Sequence, residues 1–262
     1  MSGESNRGRF VWFDLMTPDP EAAKAFYTAV AGWGTQVWEE MSYTMWTAGE
    51  APIGGTMKLP DDAVAGGAKP HWLGYVAVPS VEDTTARAQE LGAKVMVPPT
   101  DIPTVGRYSV IADPQGAVIA IYTHTGAEQE PPSGMLPVGS FTWHELATTD
   151  PEAAWSFYSD LFGWEKTSAM DMGPMGVYQM FGPGGSGKTF GGLFNKPPHM
   201  QGPPAWLHYA RVRDVNAAVE ATSKNGGQVI NGPMEVPGGD MIAQIVDPQG
   251  GMFAVHEVKS EG

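Results

Sequence analysis

The sequence predicts an α+β protein made of four βαβββ units arranged as two homologous halves, and two observations carry this. Residues 10–27, FVWFDLMTPDPEAAKAFY, are echoed by residues 141–158, FTWHELATTDPEAAWSFY. The echo runs on through AGW (31–33) and FGW (162–164), WLGYVAV (72–78) and WLHYARV (206–212), and ADPQGAVIAIY (112–122) and VDPQGGMFAVH (246–256). Such self-similarity marks duplicated structural units. Within each half, a strand-period segment, a capped helix-period segment and further strands recur twice. The implied boundaries are a first domain over 1–125, a polar, proline-bearing linker over 126–137 and a second domain over 138–262.

Residues 10–16 alternate as a strand. Asp19-Pro20-Glu21 then supplies an N-cap, a proline at the first helical position and an acid in the first turn, and Gly32 stops the helix. YTMWTAGEAPIGGTMKL reads as a β-hairpin. The second unit opens with strand WLGYVAV and an N-terminal box, Ser80-x-x-Asp83. Its helix runs to Leu91, Gly92 terminates it, and strands follow near 94–97, 107–112 and 117–122. The second half repeats this order.

Composition narrows the function classes. Lys and Arg number 15 against 29 Asp and Glu, a formal charge of −14. That balance repels polyanions, so nucleic acid and anionic membrane surfaces are excluded as partners. With no cysteine, disulfides, thiolate metal sites and cysteine nucleophiles are absent. No signal-peptide pattern or membrane-length apolar run is present, which gives a cytoplasmic expectation. The linker is long enough for units to exchange within a homodimer or to pair within one chain, and both arrangements stay open.

The strand, D-P-E-A-A-x-x-FY helix, following G-W and closing D-P-Q-G strand resemble the vicinal oxygen chelate superfamily, which includes glyoxalase I, bleomycin-resistance proteins and extradiol dioxygenases. The resemblance is nearest to tandem glyoxalase-like proteins and covers nearly the whole chain. It implies that paired units form a cupped mixed sheet with helices outside and a ligand cavity inside. It does not imply a single activity. Metal-dependent members carry His or Glu at positions that fall here on Trp12, Leu73 and Ala120 in the first half and on Trp143, Leu207 and Ala254 in the second. None of these binds a divalent cation, and a metal site needs at least three converging N or O donors. No metal and no cofactor are therefore expected.

Strand alternation selects the neighbours that share the ligand face. Two residues from each lost ligand stand Asp14, Tyr75 and Tyr122 in the first half, and Glu145, Tyr209 and His256 in the second. Arg211, two further on from Tyr209, is placed to pair with Glu145. One reading makes Trp12, Asp14, Tyr75, Tyr122, Trp143, Tyr209 and Arg211 a binding surface for a small apolar or aromatic molecule. A second makes Glu145 and His256 the acid and base of a lyase, isomerase or hydrolase. A third, a metal-dependent glyoxalase or ring-cleaving dioxygenase, lacks its ligands. The same carboxylates and tyrosines could also serve strand register alone. His144 and His208 alternate onto the helix-packing face, where Trp33 and Trp164 are core wedges; His71, His124 and His199 fall in solvated segments.

One motif points elsewhere. GPGGSGKT at 182–189 matches the phosphate-binding pattern G-x-x-x-x-G-K-[ST]. That chemistry requires a helix to follow, and FGGLFNKPP, with two glycines and two prolines, forbids one. The repeat aligns the octet with TAGEAPI of the first hairpin, so it reads as a lengthened hairpin loop with Lys188 as a rim charge.

Overall fold

The computed structural model describes residues 6–126, 134–198 and 200–259. His199 lies outside the described residues, as do 127–133 of the linker. Four βαβββ units follow one another. The first is β1 (Phe10–Thr17), α1 (Pro20–Ala31), β2 (Gly34–Trp38), β3 (Tyr43–Ala48) and β4 (Ala51–Lys58), trailed by a short helix α2 (Asp61–Ala65). The second is β5 (His71–Ala77), α3 (Val81–Glu90), β6 (Lys94–Ile102), β7 (Gly106–Ala112) and β8 (Val118–His124). The third is β9 (Phe141–Thr148), α4 (Pro151–Phe162), β10 (Trp164–Asp171), β11 (Val177–Pro183) and β12 (Gly191–Asn195). The fourth is β13 (Ala205–Arg211), α5 (Val215–Lys224), β14 (Gln228–Glu235), β15 (Met241–Val246) and β16 (Met252–Glu257).

Two eight-stranded mixed sheets result, ordered β2-β3-β4-β1-β5-β8-β7-β6 and β10-β11-β12-β9-β13-β16-β15-β14. The two halves are thus built alike. Among the described residues no helix is long and apolar enough to cross a membrane.

The expected caps form. Asp19 and Asp150 accept the N–H groups of Ala22 and Ala153, each at 3.0 Å, and Gly32 and Gly163 close their helices with φ of 71° and 70°. Only glycine adopts that left-handed conformation cheaply. β6 is longer than its sequence suggests. It continues through Pro98 and Pro99 because it lies at a sheet edge and its register with β7 shifts twice, so the missing N–H groups cost no ladder bonds. The five-residue α2 is too short to leave a periodic signal.

Contacts divide the chain into two compact units that interleave the halves. One gathers the described residues of 1–12, 74–133 and 144–206, the other those of 13–73, 134–143 and 207–262. The repeated motifs account for this grouping. In the second of these units, Gln249 of the D-P-Q-G turn accepts the Asp19 N–H at 2.7 Å and donates to the Asp19 carbonyl at 2.8 Å, holding the N-terminus of α1. In the first, Gln115 does the same for Asp150 at 2.6 and 2.9 Å.

The aspartate of each turn is buried and fully used. Asp247 accepts the N–H groups of Gln249 and Gly251 on one oxygen and the Tyr27 hydroxyl on the other, at 2.9 Å. Tyr27 in turn accepts the Trp72 indole N–H at 3.0 Å. Asp113, Tyr158 and Trp206 repeat the chain at 2.9 and 3.3 Å. Burial first, then the facing aspartate, holds both phenols well above their usual pKa, so they remain donors. Sequence reading takes D-P-Q-G for a turn; folding makes it a clasp on the D-P-E-A-A-x-x-FY helix of another βαβββ unit.

Candidate functional site

Asp14 and Glu145 are held in the same way. Asp14, on β1, is buried and accepts the hydroxyl of Tyr43 from β3. Glu145, on β9, accepts the hydroxyl of Tyr178 from β11 at 2.9 Å. Each tyrosine reaches its carboxylate across a strand, and a glycine pair makes room. Gly55 is registered with Asp14 and Gly192 with Glu145, and a Cβ at either would run into the tyrosine ring. The preceding glycines, Gly54 and Gly191, lie against the backbone carbonyls of Phe13 and His144. Tyr43 and Tyr178 escaped the sequence reading, although YTMW and YQMF hold the same place in the repeat before a GG pair.

The remaining candidates fall by unit. In the unit holding 74–133, Tyr75 is buried with its ring 6.1 Å from that of Tyr108. Tyr122 donates toward the Val105 carbonyl at 3.1 Å and lies 3.0 Å from His124 Nδ1; burial raises its pKa. In the unit holding 207–262, Tyr209 is buried and its hydroxyl accepts from Gln244 Nε2 at 2.9 Å. His256 Nε2 is 2.9 Å from Asp240 Oδ2, and its Nδ1 is 2.8 Å from Thr142 Oγ1. Arg211 donates through Nη1 to the Leu136 carbonyl.

Glu145 and His256 therefore belong to different compact units and take different partners. The polar chain Asp240–His256–Thr142 was not legible from strand alternation. Its signal is in the repeat, where the corresponding first-half residues are Gly106, Tyr122 and Val11. A Cβ at Gly106 would meet the Thr123 carbonyl and the Tyr122 ring.

His144 and His208 are buried. His144 lies 4.1 Å from the Phe10 ring, and His208 lies 5.0 and 6.2 Å from Phe13 and Phe141. Burial drives the His208 pKa down to about 3, so it is neutral at physiological pH. Trp33 and Trp164 are buried wedges.

The positions that would hold the superfamily's metal carry Trp12, Leu73 and Ala120, and Trp143, Leu207 and Ala254. These side chains have no donor suited to a divalent cation. Among the described residues no three His, Asp or Glu side chains converge as a ligand set. The residues present do not fit that metal.

GPGGSGKT ends β11 and turns into β12, with no helix after it. Several of its amides are engaged by the protein: Gly184 donates to the Gly163 carbonyl at 3.1 Å and Gly185 to Glu165 at 3.2 Å. Lys188 is exposed on this loop.

Comparison with known proteins agrees with this architecture. The model for the Glyoxalase/Bleomycin resistance protein/Dioxygenase superfamily matches residues 9–121 and 140–255. The CFP32 protein of Mycobacterium tuberculosis, provisionally named a glyoxylase, is 32% identical, over 96% of this chain and 95% of that one. The anthracycline biosynthesis protein DnrV of Streptomyces peucetius is 29% identical, over 96% and 94%. Among solved structures, the Mn(II)-bound glyoxalase of Novosphingobium aromaticivorans shares the fold with a TM-score of 0.64 at 17% identity, covering 97% of this chain and 82% of that one. Two matched segments, a common strand order in both halves and a relative aligned nearly end to end converge on one assignment: the chain belongs to the glyoxalase/bleomycin resistance protein/dioxygenase superfamily.

Proposed function

We propose that this chain binds a small, flat apolar or aromatic molecule without the metal that the superfamily usually places among its strands. The observation that carries the reading is the substitution of Trp12, Leu73, Ala120, Trp143, Leu207 and Ala254 for metal donors, with the carboxylates two residues along β1 and β9, Asp14 and Glu145, engaged by Tyr43 and Tyr178. Indole rings and tyrosine hydroxyls are groups that supply flat apolar contact and a few fixed hydrogen bonds. Relatives named for anthracycline biosynthesis, DnrV and the DauV protein of Streptomyces, support an aromatic ligand, anthracyclines being flat fused-ring molecules. Native mass spectrometry with metal analysis of the purified protein tests the proposal. The expected result is an organic adduct with no stoichiometric metal, the adduct weakened by Trp143→Ala. A stoichiometric divalent metal lost in Glu145→Gln or Asp14→Asn would overturn it.

A catalytic reading is favoured by one observation, the Asp240–His256–Thr142 chain. A carboxylate on one imidazole nitrogen fixes the tautomer, leaving the other to exchange a proton with the threonine hydroxyl or a bound substrate. Here the base is His256 supported by Asp240, with Glu145 acting separately beside Tyr178. Under this reading His256→Gln removes turnover of the co-purified molecule while leaving it bound; equal turnover in both proteins refutes it.

A further inference from the structure

We infer that the cavity at the ends of β13 and β16 is a binding site for an organic monocarboxylate. This cavity, of about 440 Å³, is lined by Arg211, Arg213 and Lys259, with Glu257 and the apolar side chains of Val138, Val212, Met241 and Val258 completing its wall. The volume suits a small molecule. The inference goes beyond the reading above and does not depend on it, because it concerns a cavity whose lining, apart from Arg211, that reading does not use.

Three of the chain's 15 basic residues line this one cavity. With 29 acidic against 15 basic residues, a basic side chain has carboxylates in excess to choose from. Arg87 is bound by Asp160 and Glu90, and Arg107 by Glu82 and Asp101. Among the described residues, Arg211, Arg213 and Lys259 form no ion pair with any carboxylate. Arg211 spends Nη1 on the Leu136 carbonyl, while its Nε is buried with no hydrogen-bond partner among the described residues. A buried guanidinium N–H left without an acceptor is costly, so the protein itself compensates the Arg211 fork only in part.

Carboxylates nearby are committed elsewhere. Glu257 accepts the Val215 N–H at 2.8 Å at the start of α5. Asp240 accepts the Lys259 N–H at 2.8 Å on one oxygen and faces His256 with the other. Neither forms an ion pair with the arginines.

The fold itself does not require these cations. In the first half the same positions of the repeat carry Ala77, Pro79 and Thr125, and the same strand order is built there without them. What the three cations add is therefore specific to the second half. Gly239 contributes the shape. It has φ of 91°, and the Lys259 side chain lies where its Cβ would stand, so the lysine is drawn in over the turn.

The chemistry selects the ligand class. Two guanidinium groups present planar donor forks that match a carboxylate, and the valine and methionine side chains suit a carbon body behind it. Glu257 on the wall weighs against a dianion, so a monocarboxylate is preferred to phosphate.

The test uses the full chain and three probes: benzoate, its neutral isostere benzamide, and inorganic phosphate, titrated by calorimetry and mapped by amide chemical shifts. Benzoate is expected to bind at least tenfold more tightly than benzamide and than phosphate, shifting the amides of residues 211–213 and 239–241. Arg213→Gln, at an exposed residue with no hydrogen bond or ion pair among the described residues, keeps the fold and is expected to weaken benzoate about tenfold without changing benzamide. Equal binding of benzoate and benzamide, shifts confined to another part of the chain, or benzoate affinity unchanged in Arg213→Gln would overturn the proposal. Phosphate binding as tightly as benzoate would overturn the carboxylate assignment. None of these outcomes bears on the metal-free reading of the tryptophan-bearing positions, which is tested by metal content and Trp143→Ala.

Discussion

Removing one oxygen from the buried clasp tests whether D-P-Q-G and F-Y act together as the fold suggests. In Tyr27→Phe the ring keeps its packing, but Asp247 loses a donor at 2.9 Å and the Trp72 indole N–H loses its acceptor at 3.0 Å. Tyr27, Asp247 and Trp72 are all less than a tenth exposed, so water cannot replace the hydroxyl without rearrangement. A hydrogen bond to a charged group contributes about 1.5–3 kcal/mol, and a buried donor left unsatisfied costs about 1–3 kcal/mol. Asp247 keeps the two backbone donors on its other oxygen, which argues for the lower part of the range. The expected loss is about 3 kcal/mol, or roughly 6–10 °C in Tm for a chain of this size. The repeat provides an internal control. Tyr158→Phe makes the same change, but its indole bond is longer, 3.3 Å, so a loss of about 2 kcal/mol is expected. Urea unfolding followed by tryptophan fluorescence and near-ultraviolet circular dichroism measures both. Losses below about 1 kcal/mol in both variants would refute the clasp as a stabilising device and return D-P-Q-G to being a turn.

Three further outcomes follow from the geometry. Gly192→Ala drives Tyr178 off Glu145 and is expected to cost about 1–3 kcal/mol; adding Tyr178→Phe to it should cost little more, and full additivity by denaturant titration would refute the steric account. His208 has a folded pKa of about 3 against about 6.5 when free, so between those values the unfolded chain takes a proton the folded chain refuses. Stability therefore falls as pH drops below about 6.5, by about 1.4 kcal/mol per pH unit for this group, and His208→Leu should lose about 2 kcal/mol less than wild type between pH 6.5 and 5. Identical pH slopes would refute it. Lys188→Ala, on an exposed loop, should change stability by less than about 0.5 kcal/mol and leave neutral ligands unaffected in a binding titration.

What the sequence determined by itself was whatever is local or repeated. Caps at Asp19, Ser80 and Asp150, stops at Gly32 and Gly163, and strand alternation depend on neighbours in the chain, so the four βαβββ units could be read directly. The repeat then exposed GPGGSGKT as a hairpin loop, since a phosphate site needs a helix the following residues cannot form. Tertiary structure decided which residues meet. Tyr43 reaches Asp14 from β3, Tyr178 reaches Glu145 from β11, and His256 meets Asp240 from the turn before β15 and Thr142 from β9. Alternation says which face a side chain takes but not how far along a neighbouring strand its partner stands, because strand register is set by glycine pairs and shifts that no single segment encodes. The same holds for Gln115 and Gln249, whose partners lie in another βαβββ unit. Arg211 and Arg213 gained their meaning from folding, which gathers them with Lys259 in one cavity without an ion pair among the described residues.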